Sequence, residues 1–231
     1  MTTRSLSLAL ITGQHAFDVP GLYALFRAMP GIDFYPQALE DWAADFGEMR
    51  GRYDVLVFYN YHQTLDAPGG RTWGRDVRRA VERLGETPQG IVLLHHGIGA
   101  FQGWDAWDAL CGMSDRRFEY FKGEQVRVHV ADPTHQITEG VTDWEIVDEV
   151  YTLPEVGGDA TVLLTTDHPR STPTLAWTRQ HRAARVFCYQ SGHDRRVYED
   201  PGFRTVLERG IRWAACRENG TQMTQTSADR R

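Results

Sequence analysis

The segment over residues 89–101 constrains the fold more than any other part of the sequence. Residues 91–94 are an apolar run (Ile-Val-Leu-Leu) with no polar alternation, which is typical of a strand buried on both faces of a parallel sheet. The run leads through His95-His96-Gly97 to residues 104–110, whose apolar side chains have helical spacing. A buried strand, a glycine turn and a helix predict an α/β sheet with a ligand site beyond the carboxyl end of this strand.

The turn after this strand carries histidines where many hydrolases carry a nucleophile. In hydrolases with a similar strand–turn–helix elbow, the turn presents a reactive side chain. This turn contains no Ser, Thr or Cys, and His95 and His96 stand in that place. Because imidazole acts as an acid, a base or a metal ligand near neutral pH, the turn is a candidate functional site.

Strand and helix patterns alternate along the first half of the chain, and the second half is richer in strands. The predicted strands cover residues 6–12, 32–35, 54–59, 89–94, 125–130, 145–152, 161–165, 173–178 and 184–190. This order predicts a three-layer α/β/α, doubly wound, mostly parallel sheet. We expect one domain over residues 1–216, which ends in a helix, and a disordered polar tail over residues 217–231.

Composition limits the kind of partner. The formal net charge is −6, and Lys and Arg are dispersed, which argues against nucleic acid. No apolar run approaches the roughly 20 residues that span a bilayer, so we expect no membrane partner. The widely spaced Cys111, Cys188 and Cys216 form no disulfide framework, which favours a reducing cytoplasm. A small molecule is the expected partner, and a homo-oligomer stays open.

Several histidines fall within a few residues of the carboxyl end of a predicted strand, namely His15, His62, His95, His96 and His193. In a parallel sheet these ends share one edge, so the side chains could converge on one crevice. A single histidine there is better explained as a polar residue where a strand stops, and only the whole set favours a site. Glu149 and Tyr151 share one face of an extended segment, and Tyr61 flanks a further strand end.

Motifs in a fixed order add a resemblance. They are Gly13-x-His15, residues 90–96, Asp132-Pro133-x-His135-x-Ile137-Thr138-x-Gly140, Asp148-Glu149-x-Tyr151, residues 185–187 leading to Gly192-His193-Asp194, and Gly210-Ile211-x-Trp213-Ala214. With them the chain resembles the ThuA-like (trehalose utilisation) family from about Leu6 to Ala215. The resemblance implies a fold similar to class I glutamine amidotransferases, which is flavodoxin-like. It also implies a role in carbohydrate catabolism, on trehalose or an oxidised disaccharide derived from it.

The resemblance to amidotransferases also excludes one activity. Those enzymes need a thiolate at the elbow and a histidine oriented by an acid. His193 resembles the counterpart of that histidine, but the elbow lacks a thiol, and Arg195 stands where the acid would be. The resemblance therefore implies a protein that acts on a sugar and is not a glutaminase.

Two functional hypotheses follow. In the first, the chain is a carbohydrate-active enzyme with His193 as general base, Glu149 as its acidic complement and His96 as a further catalytic group. A divalent metal, with zinc as the candidate, stays open, and its ligands would be His15, His96 and His193. In the second, the chain is a non-catalytic sugar- or partner-binding module on the same fold. The predicted substrate-binding residues are His15, Tyr61, His62, His95, Tyr151 and Asp194.

Overall fold

Nine strands form one sheet in the computed structural model, which describes residues 4–46, 48–65 and 73–215. The strands are β1 (Leu6–Gly13), β2 (Ile32–Ala38), β3 (Val55–Asn60), β4 (Gly90–Leu94), β5 (Tyr120–Val130), β6 (Trp144–Tyr151), β7 (Thr161–Thr165), β8 (Thr174–His181) and β9 (Ala184–Tyr189). The α-helices are α1 (Val19–Arg27), α2 (Leu39–Ala44), α3 (Trp73–Glu82), α4 (Asp105–Cys111), α5 (Arg195–Tyr198) and α6 (Pro201–Ala214). Short 3-10 helices cover Arg50–Arg52 and His95–Gly97.

The parallel part of the sheet has the strand order β2-β1-β3-β4-β9. Strands β3 and β4 are buried along their whole length, as expected for central parallel strands. Beyond β9 the sheet continues by antiparallel pairing through β8, β7, β5 and β6. Because each antiparallel pairing reverses the direction, only β5 and β8 run against the others. The prediction of a mixed α/β fold with a large, mostly parallel sheet is confirmed.

Apolar side chains pack on both faces of the parallel strands. Consecutive strand residues point to opposite faces, so Val92 of β4 packs in the cluster with α1 and α6, and Leu93 packs in the cluster with α2, α3 and α4. Helices α1 and α6 begin alike: the side chains of Asp18 and Asp200 cap them, and a proline lies in the first turn of each. These caps bind N–H groups of the first turn that have no partner within the helix, and they fix the residue at which each helix begins.

The carboxyl end of β6 reaches the edge where the parallel strands end. Strands β5 and β7 are joined at only two residue pairs, His129 with Thr165 and Val130 with Leu164. Near the end of β6, the carboxylate of Asp148 accepts hydrogen bonds from the backbone N–H groups of Gly192 and His193. This contact places the end of β6 beside the turn that follows β9.

Some sequence predictions differ from the structure or lie outside it. The last helix ends at Ala214, short of the predicted residue 216, and the predicted tail over residues 217–231 lies outside the described residues. Strand β5 begins at Tyr120, five positions before the predicted residue 125. Within the described ranges, no helix has the length and apolar character needed to cross a membrane.

Candidate functional site

A cavity of about 250 Å³ opens at the carboxyl edge of the parallel strands. His15 follows β1, Tyr61 follows β3 and His96 follows β4, so three strand ends contribute to it. Strands β5 and β6 and the segment before them supply the opposite wall. The remaining lining residues are Gln63, Phe118, Tyr120, Lys122, Glu149 and Tyr151.

A larger depression of about 440 Å³ lies at the opposite end of β4, near Gln89. Four of its charged side chains form ion pairs: Arg50 pairs with Asp45 at 2.9 Å, and Arg83 pairs with Glu86 at 2.9 Å. None of the predicted site residues lines it. We therefore assign the chemistry to the smaller cavity.

His95 is the first residue after β4 and is fully buried. Its φ of 51° is left-handed backbone, which non-glycine residues adopt rarely and mostly in tight turns. Nδ1 lies 2.8 Å from the carbonyl oxygen of Gln190, and because a carbonyl only accepts, Nδ1 carries the proton. The lone pair on Nε2 then faces the hydroxyl of Tyr151 at 2.9 Å and Nδ1 of His193 at 3.2 Å. Burial lowers the pKa of His95 well below its ordinary value, so the ring is neutral.

His96 has the opposite tautomer, with the proton on Nε2. Its Nε2 lies 2.9 Å from the carbonyl oxygen of Tyr59 and donates to it, so Nδ1 carries the lone pair. That nitrogen is buried and has no hydrogen-bond partner among the described residues. Burial lowers the pKa of His96 to about 3. The His15 ring stacks on it with centroids 4.1 Å apart, so two imidazoles line one side of the cavity.

Glu149 is a nearly buried carboxylate between two imidazoles. Its Oε1 lies 3.6 Å from Nε2 of His95, and its Oε2 lies 3.6 Å from Nδ1 of His193. Nζ of Lys122 is 3.8 Å from Oε2. In the part of the chain that the structure describes, no group forms a hydrogen bond with this Oε2. A buried carboxylate is costly unless cations or donors surround it, so this oxygen is a natural contact for a ligand.

The backbone of His193 is fixed independently of its side chain. The carboxylate of Asp148 accepts the N–H groups of Gly192 at 2.9 Å and of His193 at 3.0 Å. The hydroxyl of Tyr198 donates to the carbonyl of His193 at 3.2 Å. Burial raises the pKa of Asp148 to about 7, against the opposing effect of the backbone N–H groups that it accepts. The turn therefore presents the imidazole of His193 from a main chain that other residues hold.

The structure brings most of the predicted site residues together, namely His15, Tyr61, His95, His96, Glu149, Tyr151 and His193. Three predicted substrate-binding residues, His62, His95 and Asp194, lie outside the cavity lining, and of these His95 is fully buried in contact with Tyr151. Nε2 of His62 is 3.2 Å from Glu40, and the side chain of Asp194 caps α5 and pairs with Arg196 at 2.6 Å. The end of a strand fixes which edge a residue occupies but leaves the direction of its side chain open.

Sequence reasoning missed the wall that β5 and its approach contribute, which consists of Phe118, Tyr120 and Lys122. The sequence indicated this wall only indirectly, through the pairing of β5 with β6. Tyr120 pairs with Tyr151 across the antiparallel strands, so the register of β5 on β6 would have placed it beside a predicted site residue. That register depends on a bulge between Phe121 and Glu124, which alternation alone does not indicate.

One group of described residues has the spacing of metal ligands: His95, Glu149 and His193, whose ligating atoms all lie within 4.8 Å of one another. This set differs from the ligands expected from the sequence, which were His15, His96 and His193. His15 and His96 form the stacked pair beside the group. Of the expected three, only His193 belongs to it.

Comparisons with known proteins agree on the fold. The family model described as ThuA, trehalose utilisation, matches residues 25–214. A ThuA-like protein from Parabacteroides merdae ATCC 43184 has a TM-score of 0.73 at 18% identity, with 96% of this chain and 94% of that chain covered. A ThuA-like protein from Bacteroides uniformis ATCC 8492 has a TM-score of 0.68 at 14% identity, with 93% and 94% covered.

A more distant structure extends the likeness. A GMP synthase subunit from Thermoplasma acidophilum has a TM-score of 0.57 at 11% identity, with 93% of this chain and 96% of that chain covered. At these identities the solved structures show the fold alone. The comparison with curated proteins found no match.

Proposed function

The chain belongs to the ThuA (trehalose utilisation) family, and from this premise we propose that it is an enzyme of carbohydrate catabolism. Its substrate would be trehalose or an oxidised disaccharide derived from it, bound in the cavity at the carboxyl edge of the sheet. The observation that carries the proposal is that Glu149 lines the cavity beside aromatic side chains and lies 3.6 Å from Nδ1 of His193, which is itself outside the lining. A buried carboxylate next to an imidazole is the combination that acid–base chemistry uses.

The cavity lining supports a sugar as ligand. Aromatic rings offer flat apolar faces for the C–H face of a pyranose, and here they are Tyr61, Phe118, Tyr120 and Tyr151. Gln63 and Lys122 add polar groups that hydroxyls can contact. A volume of about 250 Å³ is near the lower end for small-molecule sites, so the cavity suits one sugar ring with the second ring outside.

The proposed chemistry is removal of a proton from the sugar. In a 3-keto disaccharide the carbonyl makes the C–H bond at C2 acidic, and a base takes that proton while charge develops on the carbonyl oxygen. The C1–O bond to the second sugar then breaks as a C1–C2 double bond forms, and the leaving oxygen takes a proton from the acidic complement. His193 is the proposed base and Glu149 its acidic complement. Lys122, whose Nζ lies 3.8 Å from Glu149, would stabilise the developing negative charge. The rings of His15 and His96, which both line the cavity, would contact hydroxyl groups.

The test is the variant His193→Ala, assayed on trehalose and on its 3-keto derivative. Loss of a general base should slow turnover by about 10²–10⁴-fold. The free energy of unfolding should fall by no more than about 1 kcal/mol, because Asp148 and Tyr198 hold the backbone of this turn. The matched control is His129→Ala, on β5 and paired with Asp143. Unchanged turnover in the first variant, or a large loss of stability, would remove His193 from the site.

A second candidate is a sugar-binding module without catalysis. The observation that favours it is the elbow, where His95 is fully buried and has both ring nitrogens engaged. In that case neither sugar is converted, and His193→Ala weakens binding by about 1–3 kcal/mol without another effect. Calorimetry with both sugars, together with product analysis, separates the two functions.

The proposal extends to the layering of the fold and to the compartment. The two apolar clusters on opposite sheet faces support a three-layer, doubly wound arrangement. Cys111 and Cys188 are buried and unpaired, which supports a reducing cytoplasm.

A further inference from the structure

We propose that His95, Glu149 and His193 form a binding site for one divalent transition-metal ion, with Zn²⁺ as the reference ion. The site shares Glu149 and His193 with the proposed function, and its test needs no sugar. With an ion bound these side chains would be ligands, so the acid–base roles proposed above would belong to the metal-free protein. Two imidazoles and one carboxylate are a donor set that Zn²⁺ and Fe²⁺ accept, with further positions left for water or substrate.

The distances among the donors fit such an ion. Nε2 of His95 lies 3.2 Å from Nδ1 of His193, and each nitrogen lies 3.6 Å from an oxygen of Glu149. Ligands bound at about 2.1 Å in tetrahedral or octahedral geometry are separated by about 3.0–3.4 Å. The two nitrogens face different oxygens of Glu149, so these spacings fit an ion that the carboxylate binds through both oxygens, after small shifts of the side chains.

The tautomer of His95 supports the assignment. Nδ1 donates to the carbonyl oxygen of Gln190, which leaves Nε2 with its lone pair toward His193 and Glu149. A metal-ligating histidine commonly donates its other N–H to a backbone carbonyl or a carboxylate, which fixes the ring and its tautomer. His193 is also held from outside the group. Asp148 accepts a hydrogen bond from its backbone N–H and so fixes the position of this ligand.

The charge balance of the group supports a cation. Glu149 is 5% exposed, and among the described residues its Oε2 has no hydrogen-bond donor. Lys122 lies at 3.8 Å, and its side chain is 59% exposed, so solvent screens much of its charge. A divalent ion between Glu149 and the two nitrogens would compensate the carboxylate directly.

The position of the group gives the ion a route to ligands. Glu149 and Tyr151 both line the cavity, so the coordination positions left by the protein would face the same space that a small molecule enters. An ion there would act as a Lewis acid toward a carbonyl or hydroxyl oxygen in the cavity. The hydroxyl of Tyr151, at 2.9 Å from Nε2 of His95, is the group that the ion would displace from that nitrogen.

The test is Zn²⁺ binding to tag-free protein that has been dialysed against a chelator. Calorimetry and elemental analysis should give one ion per chain, and Zn²⁺ should raise the melting temperature. Glu149→Gln and His193→Gln should each weaken binding by at least about 10²-fold. Both keep side-chain size, and circular dichroism with the melting temperature establishes that each variant is folded. Co²⁺ should give a visible absorption spectrum of nitrogen and oxygen ligation in the parent and in neither of these two variants.

The matched control is His96→Gln, which removes an adjacent buried histidine outside the group and should leave the stoichiometry at one. Loss of the ion in this variant would favour a site made of His15, His96 and His193 and would overturn the proposal. Absence of Zn²⁺ binding to the parent, or tight binding retained in both Glu149→Gln and His193→Gln, would also overturn it. Zn²⁺ binding by a parent that turns over neither sugar, with or without the ion, would contradict the proposed function alone. Turnover by a parent that binds no Zn²⁺ would contradict the metal site alone.

Discussion

The hydroxyl of Tyr151 donates a hydrogen bond to Nε2 of His95 across 2.9 Å. Because Nδ1 of His95 is protonated and donates to Gln190, the phenol is the donor in this contact. Burial raises the pKa of Tyr151 well above its ordinary value, so the hydroxyl keeps its proton. The contact joins β6 to the turn after β4, and it occupies the nitrogen that the proposed metal ion would use.

Replacing this phenol tests the competition directly. In metal-free protein, Tyr151→Phe should lower the free energy of unfolding by about 1–3 kcal/mol, because a buried acceptor on His95 loses its donor. Zn²⁺ should bind the variant at least as tightly as the parent, since no hydrogen bond has to be broken first. Urea unfolding with and without Zn²⁺ measures both effects. A tenfold weaker affinity would instead identify the phenol oxygen as a metal ligand.

Asp148 should be essential for the geometry of the turn that carries His193. Its two carboxylate oxygens accept three backbone N–H groups, those of Glu149, Gly192 and His193. In Asp148→Asn one oxygen becomes an NH₂ group that faces an N–H donor, so we expect a loss of about 1–3 kcal/mol in unfolding free energy.

The control for this variant is Asp143→Asn, at an exposed carboxylate that accepts one backbone N–H from Val130. We expect it to stay within about 0.5 kcal/mol of the parent. Urea unfolding measures both variants. Equal losses of unfolding free energy would mean that the buried hydrogen bonds of Asp148 stabilise the protein no more than the exposed one of Asp143.

Acid should destabilise the metal-free protein through its buried histidines. Burial lowers the pKa of His95 well below 6.5 and that of His96 to about 3. Below pH 6.5 the unfolded chain binds protons that the folded chain excludes, so stability falls by up to about 1.4 kcal/mol per pH unit for each such histidine. Asp148 opposes this, because its pKa is raised to about 7. Its contribution is present at acid pH and is lost as the pH rises through 7.

The variant His96→Gln isolates one part of this effect. Urea unfolding between pH 6.5 and 4.5 should show a shallower dependence on pH than in the parent, because one excluded proton is gone. Parallel curves for the two proteins would show that His96 titrates alike in the folded and unfolded chains.

The two described cysteines should be inert. Burial raises the pKa of Cys111 to about 11 and that of Cys188 well above its ordinary value, so neither forms a thiolate at neutral pH. Cys111→Ala and Cys188→Ala should keep turnover within a few-fold, and neither thiol should react with an alkylating reagent in native protein at pH 8. Cys216 lies outside the described residues, so labelling is measured in Cys216→Ala, which we also expect to be active. Loss of turnover in a folded cysteine variant would reopen a thiol mechanism.

The sequence predicted which residues lie at the carboxyl edge of the sheet, but not which of their side chains contact one another. Buried apolar strands followed by glycine turns place His95 and His193 at one edge, and the structure has them 3.2 Å apart. Which neighbour faces which partner depends on backbone geometry: φ of 51° at His95 turns this ring toward Tyr151, while His96 turns toward His15. Residue spacing carries no information on that choice.

The position of Glu149 was also beyond the sequence. It lies on an antiparallel strand, and long-range contacts bring that strand to the parallel edge: Asp148 binds the 192–193 turn, and Tyr151 binds His95. His62 shows the reverse case, since its strand-end position was correct but its side chain binds Glu40. Local patterns determine strands and their ends, while contacts between distant segments determine which side chains meet.

Because β5 pairs with β7 at only two residue pairs, formation of the site during folding depends on other contacts of β6. The contact of Tyr151 with His95 closes 56 residues of chain, and that of Asp148 with His193 closes 45. Contacts at such separation form late in folding, because the chain loses entropy before they are made. A chain with every strand formed but with β6 undocked would contain no site. A ligand that bridges His95 and Glu149 would therefore act as a latch, adding its binding free energy to the docking of β6 on the parallel sheet.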